Sequence, residues 1–162
     1  MKKYKRLIII LNLALFLLYF NYLIFQKEDL LDSGQLVLLK LAPVDPRSLM
    51  QGDYMSLRYD IPAKFDFAKL SERGYCVVRL DEYGVAALIR FQEDITPLGS
   101  GEYLIKYALV DKWNLKFGAE SFFFQEGQSQ KYEVAEYGGL KVDDNGNSLL
   151  SGLYDKYKKK IN

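Results

Sequence analysis

Four carboxylates, one serine and two lysines are the side chains whose types and setting could do chemistry in this sequence. Asp45 and Asp53 flank Arg47 in the stretch Pro43 to Pro62, PVDPRSLMQGDYMSLRYDIP, and Glu120 and Glu126 fall in a second stretch, Phe117-Gly118-Ala119-Glu120 to Glu126-Gly127. Paired acids can run acid/base catalysis or hold a hard cation such as calcium, but their spacing here matches no calcium loop. Ser48, just ahead of Gly52-Asp53, raises a Ser/Lys dyad, which needs a desolvated lysine able to take the serine proton. Lys64 and Lys69 stand in polar or irregular surroundings and do not meet that need. The chain has no histidine, so a histidine triad, histidine ligation of zinc and a histidine pH switch are excluded. Cys76 is the one cysteine and can form neither an intrachain disulfide nor a cysteine metal cluster. No cofactor or metal is expected.

The same residues have a structural reading. Pro43 and Pro46 fix φ and lack a backbone donor, and Asp45 before Pro46 is pushed to extended geometry. Gly52 is suited to a positive φ. After it, Met55, Leu57, Tyr59 and Ile61 alternate with Tyr54, Ser56, Arg58 and Asp60, the period of a half-buried strand with Leu57 and Tyr59 inward. Arg47, with five donors in a fixed fork, can serve Asp45 and Asp53 together and tie the proline corner to the strand.

The residues Gly52-Asp53-Tyr54, Leu57 and Tyr59 resemble the signature of the GDYXXLXY family of bacterial membrane-anchored proteins, with Val44-Asp45-Pro46-Arg47 just upstream. The stretch from Phe117-Gly118-Ala119-Glu120 through Phe123-Phe124 to Glu126-Gly127 is similar to that family's second block. Asp144-Asn145-Gly146 with Leu149 and Gly152-Leu153 is similar to its C-terminal hairpin. The resemblance covers roughly Leu36 to Tyr154 and implies a location and a fold type rather than a reaction. Members are often encoded beside multi-spanning membrane proteins, which implies a membrane-protein partner. By contrast, Ser48 lies too close to Gly52-Asp53 to match the serine of membrane-anchored signal peptidases, and their Ser-Met-x-Pro context is missing.

Something must place these residues, and the first such element is an anchor. Leu7 to Phe25 contains no charge, and nineteen helical residues span roughly 28 Å, close to the ~30 Å hydrocarbon core of a bilayer. The run exceeds a signal-peptide core and ends in bulky residues with no small-x-small site, so an uncleaved anchor is expected. Lys2, Lys3, Lys5 and Arg6 precede it and Lys27-Glu28-Asp29 follow, which puts the N-terminus in the cytoplasm and the rest in the periplasm or outside the cell. Tyr19 and Tyr22 sit toward the outer interface; Asn12 is read as bonding its own backbone rather than another helix. Less the four bases before residue 27, the 22 basic residues leave 18 against 21 acidic ones. That mildly acidic remainder is not a nucleic-acid surface, which needs clustered Lys and Arg.

The organisation expected is a cytoplasmic stub and anchor over 1–26, a stalk over 27–35, a β-rich domain over 36–154 and a basic, frayed tail over 155–162 that could touch anionic lipid weakly. Within the domain, strands are expected at 36–41, after Gly52, at 75–80 and 85–91 around the Asp81–Gly84 turn, at 103–110 and 115–117, through 122–124, and at 140–143 and 148–154 around Asn145-Gly146, the strongest hairpin dipeptide. Ala63 to Gly74 reads as irregular. A short helix is expected within 126–137, stopped by Gly138. Cys76 reads as a buried small apolar residue. The fold class is therefore mainly β, antiparallel with one short helix, behind one N-terminal transmembrane helix. The expected function is a non-enzymatic envelope binding module for another envelope or membrane protein. The alternative is a hydrolase or a ligand- or cation-binding domain using the carboxylates of the two blocks.

Overall fold

The computed structural model describes residues 2–42, 54–61, 65, 70–111 and 114–162. The Pro43–Asp53 corner and Lys64 and Lys69 lie outside the described residues. Helix α1 runs unbroken over Lys2–Ser33, about 48 Å at 1.5 Å per residue. It outlasts the charge-free run because no proline or glycine intervenes before Gly34, so the expected stalk is helix. Its end is set by Gly34, whose N–H donates to the Leu30 carbonyl at 3.0 Å, and by Ser33 Oγ, which donates to the Asp29 carbonyl at 2.7 Å. Tyr4–Ser33 is long and apolar enough to cross a membrane, and none of its most apolar window is covered by the β domain.

Among the described residues, nine strands and one turn of helix follow. β1 is Gln35–Lys40, β2 Tyr54–Ser56, β3 Arg73–Leu80, β4 Ala86–Gln92, β5 Glu102–Asp111, β6 Asn114–Lys116, β7 Ser121–Phe123, α2 Ser129–Tyr132, β8 Tyr137–Val142 and β9 Ser148–Tyr154. They form a sheet in the order β1-β8-β9, a sheet β4-β3-β5-β6 and a ribbon β2-β7, every ladder antiparallel. The two larger sheets touch where the Leu38 N–H reaches the Gly84 carbonyl and the Lys106 N–H reaches the Gly146 carbonyl, each at 2.8 Å.

The alternation read from the sequence explains the core. Val37, Leu39, Leu140 and Val142 from one sheet pack against Cys76, Val78, Ile105 and Tyr107 from the other. Cys76 is buried as expected, and burial raises its thiol pKa, so it stays protonated. A second cluster gathers Met55, Leu57, Tyr132 and Leu153.

The short helix expected within 126–137 is there as α2, four residues long, because Gly127 at φ +81° closes a Gln125–Gln128 turn at the place where a longer helix would start. Two expectations are corrected. Gly138 does not stop that helix. It lies inside β8 opposite Leu39 and Leu153, and a Cβ there would come within 3.0 Å of the Tyr59 ring. Nor is the tail frayed. Asp155 Oδ1 accepts the Tyr157 and Lys159 N–H groups, Ile161 N–H donates to Leu153, and Lys160 bridges to Tyr154. β9 starts beside the helix end and runs to Tyr154, so the tail follows the end of the strand farther from α1.

Candidate functional site

The two sequence blocks meet in space. β2 pairs with β7 so that Tyr54 faces Phe123, Met55 faces Phe122 and Ser56 faces Ser121. The half-buried Tyr54 sets its ring 5.8 Å from that of Phe123. Beyond the ribbon the pairing continues as single bonds. The Leu57 N–H donates to the Glu120 carbonyl at 2.7 Å, and the Tyr59 hydroxyl donates to the Ala119 carbonyl at 2.5 Å. On the other side of the same segment, Ala42 N–H bonds Arg58 and Asp60 N–H bonds Lys40, so the strand is stitched to the end of β1.

What Leu57 and Tyr59 hold is a tight turn. Gly118 has φ +77° with nothing within 4 Å of where a Cβ would stand, so the backbone conformation and not crowding demands glycine. Glu120 closes the turn by accepting the Phe117 N–H on Oε1 at 2.5 Å. Ala119 is buried at 3 % exposure and Leu57 likewise. Tyr59 stands edge-on to Phe117, ring centroids 5.4 Å apart. Burial, and secondarily the Glu120 charge, pushes the Tyr59 phenol above its ordinary range, which keeps it a neutral donor.

Of the singled-out residues, the structure thus brings Leu57, Tyr59, Gly118 and Glu120 together and joins Tyr54 to them through the ribbon. Glu126 does not join. It is an exposed member of the Gln125–Gln128 turn. Asp45, Arg47, Gly52 and Asp53 lie outside the described residues, as does the tie proposed among them. Glu120 is committed to a backbone N–H of its own turn. Among the described residues no group of three or more cysteines or acids is arranged to hold a metal.

Beside this junction is a cleft of about 380 Å³, lined by Leu41, Met55, Leu57, Tyr132 and Ala135, with Lys40, Arg58, Glu133 and Glu136 at its margin. Its apolar wall comes from the second core cluster.

A further cluster carried no signal in the sequence. Arg90 grips Glu102 with two bonds of 2.9 Å and the Pro97 carbonyl at 2.8 Å, and Glu102 also accepts the Gly99 N–H at 2.9 Å. Arg79 lies at 3.5 Å. The Arg90 bonds, then the Gly99 N–H, lower the Glu102 carboxyl to about 2. The pair fastens the loop between β4 and β5. The β3–β5 register sets Arg79 opposite Glu102, and the β3–β4 register sets Arg90 opposite Val77, two residues away on the same strand.

The family model of the GDYXXLXY protein matches residues 16–153, from within α1 to the end of β9. No curated protein and no solved structure matches the chain. With both sequence blocks joined in one ribbon and turn, and the match covering most of its length, the chain belongs to the GDYXXLXY family.

Proposed function

We propose that this chain is a single-pass membrane protein whose β domain, held outside the cytoplasmic membrane, binds another envelope or membrane protein and does no catalysis. The observation that carries the reading is α1. Its apolar surface stands free of the β domain, and burying that much hydrocarbon in lipid is strongly favourable. The bias of Lys5 and Arg6 with their basic neighbours supports an N-terminus in the cytoplasm.

The binding role is supported by apolar side chains that the domain leaves in solvent. Phe123 is 73 % exposed on the two-stranded ribbon and Val134 is 61 % exposed after α2. Large exposed apolar groups near an open ribbon edge suit protein contact. The rival, a carboxylate site, is disfavoured by the use of Glu120 to close a turn. Affinity purification of the full chain from detergent-solubilised membranes tests the reading. One membrane protein should co-purify in stoichiometric amount, and Phe123→Asp should abolish this while costing no more than about 1 kcal/mol of stability, the worth of its ring contact with Tyr54. Recovery of the chain alone would reject the proposal.

A further inference from the structure

The polar residues of α1 are not scattered. Of the polar residues between Asn12 and Gln26, Asn12, Tyr19 and Gln26 recur every seventh residue with Tyr22 on the same face, and Asn21 alone lies opposite. Seven residues are close to two helical turns, so the three share one face with Ile8 and Leu15, drifting only about 20° per repeat. Their hydrogen bonding differs. Gln26 donates to the Tyr22 hydroxyl at 2.7 Å, and Asn21, on the opposite face, donates to the Leu17 carbonyl at 2.8 Å. The Asn12 amide and the Tyr19 hydroxyl have no hydrogen-bond partner among the described residues, so Asn12 does not make the bond to its own backbone that the sequence suggests. Tyr19 lies within the charge-free run Leu7 to Phe25, nearer its centre than its outer end, and not at the interface where the sequence reading put it.

The same face leads into the β domain. Gln26, Leu30 and Ser33 form one wall of a groove of about 500 Å³ whose other wall is the β8–β9 hairpin, Asp143 to Leu149. The hairpin thus overhangs the polar line. Packed helices lie about 8–10 Å apart. A second copy docked on this face would drive its own continuous helix, which runs to Ser33, into that hairpin. A helix that ends at the membrane surface meets no such obstacle.

We propose that the Asn12–Tyr19 face of α1 docks a transmembrane helix of a different membrane protein, one that ends below the β8–β9 hairpin and offers an amide or hydroxyl group at the depth of Asn12. This rests on the reading of α1 as a membrane span and names where the partner of the previous section sits. In hydrocarbon no water serves the amide and the phenol, so a partner side chain is their available acceptor and donor. The seven-residue repeat fits the left-handed packing of two helices at about +20°.

Photo-crosslinking in membranes of the producing cells tests this. A benzophenone amino acid is placed at Ile8 or Leu15, on the line, and at Ile10 or Leu17, on the opposite face, in the full chain. One adduct of discrete mass is expected from Ile8 and Leu15 and not from Ile10 and Leu17. Asn12→Leu should lower its yield about fivefold, as loss of one interhelical hydrogen bond predicts, and Asn12→Gln should restore it. Equal labelling around the helix, an adduct of twice the chain mass, or indifference to Asn12→Leu would overturn the inference. If no helix adduct forms while the β domain still co-purifies its partner, this inference fails and the proposed function stands.

Discussion

At the residue scale, the leucine and second tyrosine of the family signature act on backbone carbonyls. Leu57 gives its N–H to Glu120 and Tyr59 gives its hydroxyl to Ala119. Tyr59→Phe keeps the ring but leaves a half-buried carbonyl unpaired, and should cost about 1–2 kcal/mol in urea unfolding of the detergent-solubilised chain. Leu57→Ala should cost about 2–5 kcal/mol. Arg58→Ala, on the exposed face, should stay within about 0.5 kcal/mol; equal losses at 57 and 58 would contradict the register. The Glu102 carboxyl is depressed from 4.5 to about 2, chiefly by Arg90. A depressed acid stabilises the fold above its ordinary value and loses that contribution as pH falls through the folded one. Acid unfolding of wild type should therefore steepen between those two values, and Glu102→Gln should flatten the curve in that window only.

At the element scale, the turn Phe117–Glu120 and the folded-back C-terminal segment each close something the strands leave open. Gly118→Val forces a β-branched residue to φ +77° and should cost about 1–3 kcal/mol without altering the contacts around it. The segment after Tyr154 covers the far end of β9, and Ile161 packs on the second core cluster. Removing residues 156–162 should lower the melting temperature by several degrees, about 1–3 kcal/mol, because Leu153 loses cover. An unchanged melting curve would mean that the segment adds nothing to the fold.

At the scale of the whole molecule, one unbroken helix leads directly into β1, and Lys141 Nζ donates to the Gly34 carbonyl at 2.9 Å just past the helix end. Under the proposed topology, a cysteine replacing Asn162 should react with an impermeant maleimide in spheroplasts, and one replacing Lys3 only after lysis. The reverse pattern would invert the orientation.

Period and composition alone determined the apolar helix, the two hairpins around Gly84 and Gly146, and the inward face of Met55, Leu57 and Tyr59. Each depends on neighbours along the chain, where alternation, charge and turn residues act directly. The tertiary structure decided what the local pattern leaves open. The strand through 122–124 and a short helix after it are legible in the sequence, but not the glycine turns at 118 and 127 or the pairing of that strand with β2. Gly138 reads as a helix stop but pairs with Leu39 and Leu153 inside β8, where its missing side chain leaves room for the Tyr59 ring. Arg79, Arg90 and Glu102 have no local pattern and meet only through two ladders. Such contacts are chosen by which strands find each other, a long-range free energy that no window of sequence contains.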